Sequence, residues 1–371
     1  MWPRVIGQER VKQALLGAIR TGRLPHAYLF HGPVGVGKDA MALELARAIH
    51  CRVSSEEPCG ECDSCEKIRT MQHPDVRLIT ALPLGKGEEK ADGPLAKLGS
   101  DDLATVQTEY RKKGENPYHR VTIPKSTVIK INSIRELRRE SSMTSFEGRK
   151  RVFVISNAQE MGPEASNALL KTLEEPSGDC VIILTAANRD ALLPTILSRC
   201  QQVRFDPLTD EEIRRALIER DAADEPRAAL IARLAGGSYT QALELLDADV
   251  LEERAFVVGF IRNALAGHPS KVIADVETVV GWKDRDLVIR FLQFVLLWFR
   301  DALVLSRGGT IINLDQQEDL QRFVSRNPDA DLLTALAETE RAISLVNRNG
   351  YIKLVLLYLA TRLHATMKRT R

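Results

Sequence analysis

Gly32-Pro33-Val34-Gly35-Val36-Gly37-Lys38-Asp39 decides how the rest of this chain is read. The apolar run Ala27 to Phe30 precedes it as a strand. Ala40, Met41, Leu43, Leu45, Ala46 and Ile49 follow at the spacing of a helix packed on a sheet. Strand, glycine loop and helix in that order form a phosphate-binding loop. Gly32, Gly35 and Gly37 let backbone N–H groups converge on phosphate oxygens at a helix N-terminus, and Lys38 reaches the outer phosphates. The next position should carry a Ser or Thr hydroxyl to hold Mg²⁺. It carries Asp39, whose carboxylate repels phosphate.

Outward from the loop, Val11, Leu15 and Ile19 predict a helix ahead of the first strand. Val152 to Ile155 and Cys180 to Leu184 are short continuous apolar runs of the buried parallel-strand type, with a helix from Glu164 to Glu175 between them, closed by Pro176. Strands alternating with helices give a parallel α/β domain over about residues 1–205. The metal-binding carboxylate of a working site belongs at the end of the strand beside the loop. The candidate strand, Val152 to Ile155, runs instead into Ser156-Asn157-Ala158, with Glu160 further along. The stretch of about 83–126 is rich in Gly, Lys, Glu and Asp with little periodicity, and reads as an inserted, partly flexible excursion outside the core.

After Asp206-Pro207 no strand pattern remains. Thr209 and Glu212 have capping-box spacing, and Gly236-Gly237 divides a helix pair in a small lid of 206–248. Long helical patterns at Leu287 to Leu305, Leu332 to Leu345 and Ile352 to Leu363 fill an all-α region of 249–371, joined to the lid through the segment near Leu245 to Val250.

Six cysteines in a chain of 371 residues are unevenly placed: Cys51, Cys59, Cys62 and Cys65 cluster, whereas Cys180 and Cys200 stand apart. Four soft thiolates with overlapping C-x2-C pairs suit a tetrahedral, structural Zn²⁺ in a module of about 51–65. Chance clustering of buried thiols is the bland alternative, and His50 and His73 are spare. Composition adds little: 44% hydrophobic and 27% charged residues exclude disordered and fibrous classes, and a net charge of +2 leaves nucleic-acid binding to a local patch. The longest apolar runs, such as Phe294 to Phe299, fall far short of the roughly 20 residues a membrane-spanning helix needs, so a cytoplasmic protein with no membrane partner is expected.

Val5-Ile-Gly-Gln8, Leu24-Pro-His-Ala-Tyr-Leu-Phe30, the four-cysteine knuckle after the loop helix, Asn167 to Pro176 and Leu193-Pro-Thr-Ile-Leu-Ser-Arg-Cys200 together resemble the AAA+ clamp-loader subunits of bacterial replicases. The resemblance implies an AAA+ P-loop domain with a zinc module, a helical lid and an α-helical collar through which subunits assemble. It implies partners: delta and gamma/tau subunits in a hetero-oligomeric ring, the sliding clamp and primed DNA. It also implies that Arg199 acts in trans on ATP held by a neighbour, against the alternative of a solvated or internally paired arginine. Active members carry a lid arginine in a Gly-Ser-x-Arg pattern, whereas this chain has Gly237-Ser238-Tyr239-Thr240. The departures at Asp39, Ser156-Asn157 and Thr240 all strike the chain's own ATP site and point to a non-hydrolysing member. Retention of Gly32, Gly35, Gly37 and Lys38 leaves Mg²⁺-independent binding of ATP or ADP open. The alternatives are a hydrolysing gamma/tau-type subunit and a P-loop-derived scaffold outside replication.

Overall fold

The computed structural model describes residues 2–54, 56–89, 91–176, 179–247 and 250–366. The chain divides into two compact units, Met1–Leu245 and Leu246–Arg371. The expected connecting segment near Leu245 to Val250 includes Ala248 and Asp249, which lie outside the described residues.

The first unit contains α1 (Glu9–Arg20), β1 (Ala27–His31), α2 (Lys38–His50), α3 (Asp63–Arg69), β2 (Val76–Ile79), α4 (Ser100–Glu115) and α5 (Ile131–Ser141). It continues through β3 (Arg151–Ile155), α6 (Pro163–Glu174), β4 (Cys180–Ala186), α7 (Pro194–Leu197), β5 (Gln201–Arg204), α8 (Asp210–Asp221), α9 (Glu225–Leu234) and α10 (Tyr239–Leu246). The five strands form one parallel sheet in the order β2-β3-β4-β1-β5, the parallel α/β arrangement expected from the sequence. β3 and β4 are buried along their whole length, which explains why they read as continuous apolar runs. Leu29, Phe153, Ile155, Ile182 and Leu184 face α5 and α6, packing on Ile134, Leu137, Leu169 and Leu173. The alternate strand residues point to the opposite face, where α2 packs on β3 and β4.

Two expectations need correction. The strand ending in Ser156 is not the immediate neighbour of β1, because β4 lies between them. A residue of β4 therefore also reaches the loop. The excursion after Pro83 lies outside the sheet's core, as expected, but it is not without regular structure. It contains the four-turn helix α4, and Leu82, Val106 and Ile123 form a small core of their own. The polar composition of α4 hid it: three apolar contacts anchor a helix whose remaining faces are charged.

The lid helix α8 begins with the capping box predicted for Thr209 and Glu212, both hydrogen bonds being present. In the second unit, α11 (Val250–Ala266), α12 (Pro269–Gly281), α13 (Arg285–Ser306), α14 (Gln317–Arg326), α15 (Leu332–Asn347) and α16 (Ile352–Thr366) pack around Phe260, Phe291, Phe299 and Leu356. No helix among the described residues is long and apolar enough to cross a membrane.

Gly114 marks where α4 crosses the end of α3. A Cβ there would stand 2.1 Å from the Arg69 carbonyl oxygen and 3.0 Å from Met71 Cγ. In an open helix Gly→Ala is stabilising by about 1 kcal/mol. Here the added methyl meets backbone, and the sign should reverse: Gly114→Ala is expected to destabilise the protein by about 1–3 kcal/mol in chemical denaturation. A gain in stability would show that α3 and α4 are free to separate.

Candidate functional site

The phosphate-binding loop follows β1, and its glycines are used as their geometry demands. Gly35 and Gly37 have φ of 76° and 101°. A Cβ on Gly35 would lie 2.0 Å from Ser238 Oγ, and one on Gly37 would lie 2.7 Å from the Tyr118 hydroxyl. Both contacts come from segments of the same unit that close over the loop. The Gly35 carbonyl accepts the Tyr239 N–H at 3.0 Å, and the Thr240 hydroxyl donates to the Tyr118 carbonyl at 2.8 Å. Tyr118 in turn accepts the Ile6 N–H at 2.9 Å. Loop, lid and excursion are thus tied together by hydrogen bonds that each engage at least one backbone group.

Lys38 is turned back on the loop. Its ammonium donates to the Gly32 carbonyl at 2.8 Å and to the Pro33 carbonyl. Burial holds its pKa down at about 8, with the Lys113 ammonium adding to the effect and Asp39 opposing it.

Asp39 is the centre of the site. One carboxylate oxygen accepts the Thr185 hydroxyl at 2.7 Å, and the other accepts the Ser156 hydroxyl at 2.8 Å and lies 2.8 Å from Lys113 Nζ. Burial by itself would raise this carboxyl. The Lys113 charge and the three hydrogen bonds outweigh it and hold the group at about 2. Ser156 stands at the position where a working site carries its metal-binding carboxylate, and it serves Asp39 as a donor. Lys113 also donates to the His119 carbonyl at 2.9 Å, and only 6% of its side chain is exposed. Beside this network lies a cavity of about 450 Å³ that takes in Lys38, Lys113, Arg120, Gln159 and Glu160. Burial pushes the Glu160 carboxyl up.

Sequence reading missed Lys113, Tyr118 and Thr185. Thr185 left a signal, as a lone hydroxyl in an otherwise apolar buried strand. Lys113 left none, being one of several lysines in a charged stretch.

The four clustered cysteines converge. Their Sγ atoms all lie within 4.8 Å of one another, so the set can hold a metal ion. Cys51 Sγ accepts the N–H groups of Ser54 and Cys59, each at 3.4 Å, and Cys59 Sγ accepts that of Cys62 at 3.3 Å. Donors directed at sulfur suit thiolate ligands, so a soft, four-coordinate ion fits. Cys180 and Cys200 are buried apart from the cluster.

Arg199 follows the short helix α7. Its guanidinium pairs with Glu174 at 2.8 Å, donates to the Thr195 carbonyl at 2.9 Å, and keeps a third of its side chain exposed.

Residues 7–209 match the family model described as DNA polymerase III, delta subunit. The chain is 29% identical to a Bacillus subtilis protein named DNA polymerase III subunit delta', over 95% of this chain and 96% of that one. It is 32% identical to the subunit delta' of Pseudomonas aeruginosa, over 65% of this chain and 61% of that one. It is also 32% identical to the subunit tau of Escherichia coli over 66% of this chain, and spans only 32% of that longer protein.

Asp39→Asn tests the network directly. Lys113 would be left buried without a counter-charge, at an expected cost of about 3–5 kcal/mol. The pH dependence has a defined sign. The Asp39 carboxyl is depressed in the folded state, so its contribution of about 2 kcal/mol is complete above the unfolded value near 4 and is lost as pH falls through about 2. Acid titration of stability should therefore be flatter in the variant over that window. Equal stability and equal acid sensitivity would mean the pair contributes nothing.

Proposed function

The chain belongs to the family described as DNA polymerase III, delta subunit, and from that premise we propose that it is a non-hydrolysing, delta-prime-like subunit of the replicative clamp loader. In this reading it joins delta and gamma/tau subunits in a hetero-oligomeric ring that places the sliding clamp on primed DNA. The relative aligned along nearly the whole of both chains bears the name subunit delta', which supports this branch.

The observation that carries the non-hydrolysing part is the pairing of Asp39 with Lys113, Ser156 and Thr185. Phosphoryl transfer to water needs Mg²⁺ held by a loop hydroxyl and a carboxylate on the neighbouring strands, plus a group that orients the water. Here the loop position is itself a carboxylate. An internal ammonium neutralises it, and hydroxyls stand on β4 and just beyond β3. A triphosphate brought to this loop meets a fixed negative charge and no metal ligand set. Binding of ATP or ADP without hydrolysis would first require Lys38 to leave the Gly32 and Pro33 carbonyls.

Arg199 is assigned the opposite role, as a residue offered to a neighbour's nucleotide. Glu174 and the Thr195 carbonyl keep its guanidinium oriented at the surface, and exchange of the Glu174 carboxylate for a γ-phosphate preserves its charge pairing. The α-helical second unit is assigned the collar role.

Cys51, Cys59, Cys62 and Cys65 are assigned a structural Zn²⁺. Four thiolates complete its coordination and leave no position for chemistry. The ion would fasten the end of α2 to α3.

In reconstituted clamp loaders, Arg199→Ala should lower DNA-stimulated ATP turnover partially and clamp loading more strongly. A trans arginine is worth about 10³–10⁵ at a single P-loop site, diluted here because other sites in the ring keep theirs. Lys38→Ala should change neither. Equal rates in wild-type and Arg199→Ala complexes would remove the trans role, and ATP turnover by the isolated chain that Lys38→Ala abolishes would favour a gamma/tau-type enzyme.

Protein prepared without chelators should hold about one Zn²⁺ on the four thiols. Metal analysis giving under about half an equivalent, with all four thiols freely titratable, would remove the zinc assignment.

A further inference from the structure

Next to the cysteine cluster lies a second set of metal-ligating side chains that the reading above does not use. His50, the last residue of α2, is fully buried, and neither ring nitrogen has a hydrogen-bond partner in the protein. His73, on the loop leading into β2, lies against it with ring centroids 4.3 Å apart and is 1% exposed. Its Nδ1 accepts the Asp75 N–H at 3.2 Å, and its Nε2 lies 3.4 Å from Glu147 Oε2. The buried Asp75 carboxylate accepts the N–H groups of Phe146 and Glu147 at 2.8 and 2.9 Å. One ligand atom from each of His50, His73 and Asp75 lies within 4.8 Å of the others.

An imidazole buried without partners forfeits its hydrogen bonds to water at each orphaned nitrogen. Both nitrogens of His50 are in that position. The group that answers this demand has to accept a lone pair from a neutral imidazole and tolerate a carboxylate close by. A carboxylate offers about four lone-pair sites, so the two backbone donors at Asp75 leave it able to coordinate. Two carboxylates, Asp75 and Glu147, are available to balance a dication. The cations around them are Arg151, 3.7 Å from Asp75, and Arg52 and Lys67, which reach Glu147 from exposed positions. Arg149 is engaged with the Ile49 carbonyl.

We propose that His50, His73 and Asp75 bind a second divalent transition metal next to the four-cysteine site, His73 through Nδ1 in exchange for the Asp75 N–H, with its Nε2–H turned to Glu147. Imidazole with carboxylate selects Zn²⁺, Co²⁺ or Ni²⁺ over Mg²⁺ or Ca²⁺. The site is independent of the clamp-loader reading, since nothing in it touches the phosphate loop's charge network.

The test is metal binding by the full chain, with Zn²⁺ counted by metal analysis and Co²⁺ followed by absorption. The expected result is about two equivalents per chain, one giving thiolate-to-cobalt charge transfer and one giving only the ligand-field bands of nitrogen and oxygen ligands. His50→Phe, which keeps the ring volume, should lower the count from two to one and leave the charge-transfer band intact, and His73→Phe should do the same. Retention of two equivalents in both variants overturns the proposal. If a variant does not fold, the wild-type chain decides. A single equivalent at saturating Zn²⁺, or a cobalt spectrum made up of the thiolate site alone, means the histidines are partnered by water only, and the second site is gone.

Discussion

The ion pair between Asp39 and Lys113 is the constraint around which the first unit is arranged. A carboxylate largely withdrawn from water at the mouth of a phosphate loop is costly unless it is paired and hydrogen-bonded. The chain meets that requirement with residues from three separate places: Ser156 just beyond β3, Thr185 on β4 and Lys113 on α4. Once Lys113 is needed there, α4 must lie against the loop. Tyr118 then follows over Gly37, and Thr240 of the lid bonds to the Tyr118 carbonyl. The closure of the loop and the packing of the excursion are therefore one event.

The same arrangement explains a pattern that otherwise looks like simple decay. Loss of a metal-site hydroxyl and of a carboxylate would by themselves leave a weak phosphate site. Their replacement by a carboxylate and a hydroxyl exchanges the two groups across the same gap, and an ammonium sits against the new anion. The anion at the loop thus has its counter-charge supplied from within the chain.

How much of this was legible in the chain depended on whether the signal was local. The strand, loop and helix around Gly32 to Asp39, the capping box at Thr209, the long helices of the second unit and the convergence of four cysteines all follow from spacing over a few residues. The excursion did not. Val106, Leu82 and Ile123 anchor it with too few apolar positions to set a period, and Lys113 has no local feature that separates it from its neighbours. The place of β4 between β1 and β3 is likewise a property of sheet topology, which no strand carries in its own sequence. The His50 and His73 pair is hidden for a related reason: it comes from the approach of two separate segments.

The hydroxyls that bond to Asp39 lie 117 and 146 residues away from it along the chain. Contacts of such separation require the loop-closure entropy of most of the first unit to be met before they form. Thr185 lies on β4 and Ser156 just beyond β3, so these bonds are complete only when β1, β3 and β4 are docked. Interactions absent from the transition state act on the escape rate from the native basin and leave the rate of reaching it nearly unchanged. A charge network at the loop that is absent from the transition state would act as a kinetic latch, its contribution appearing as native-state lifetime.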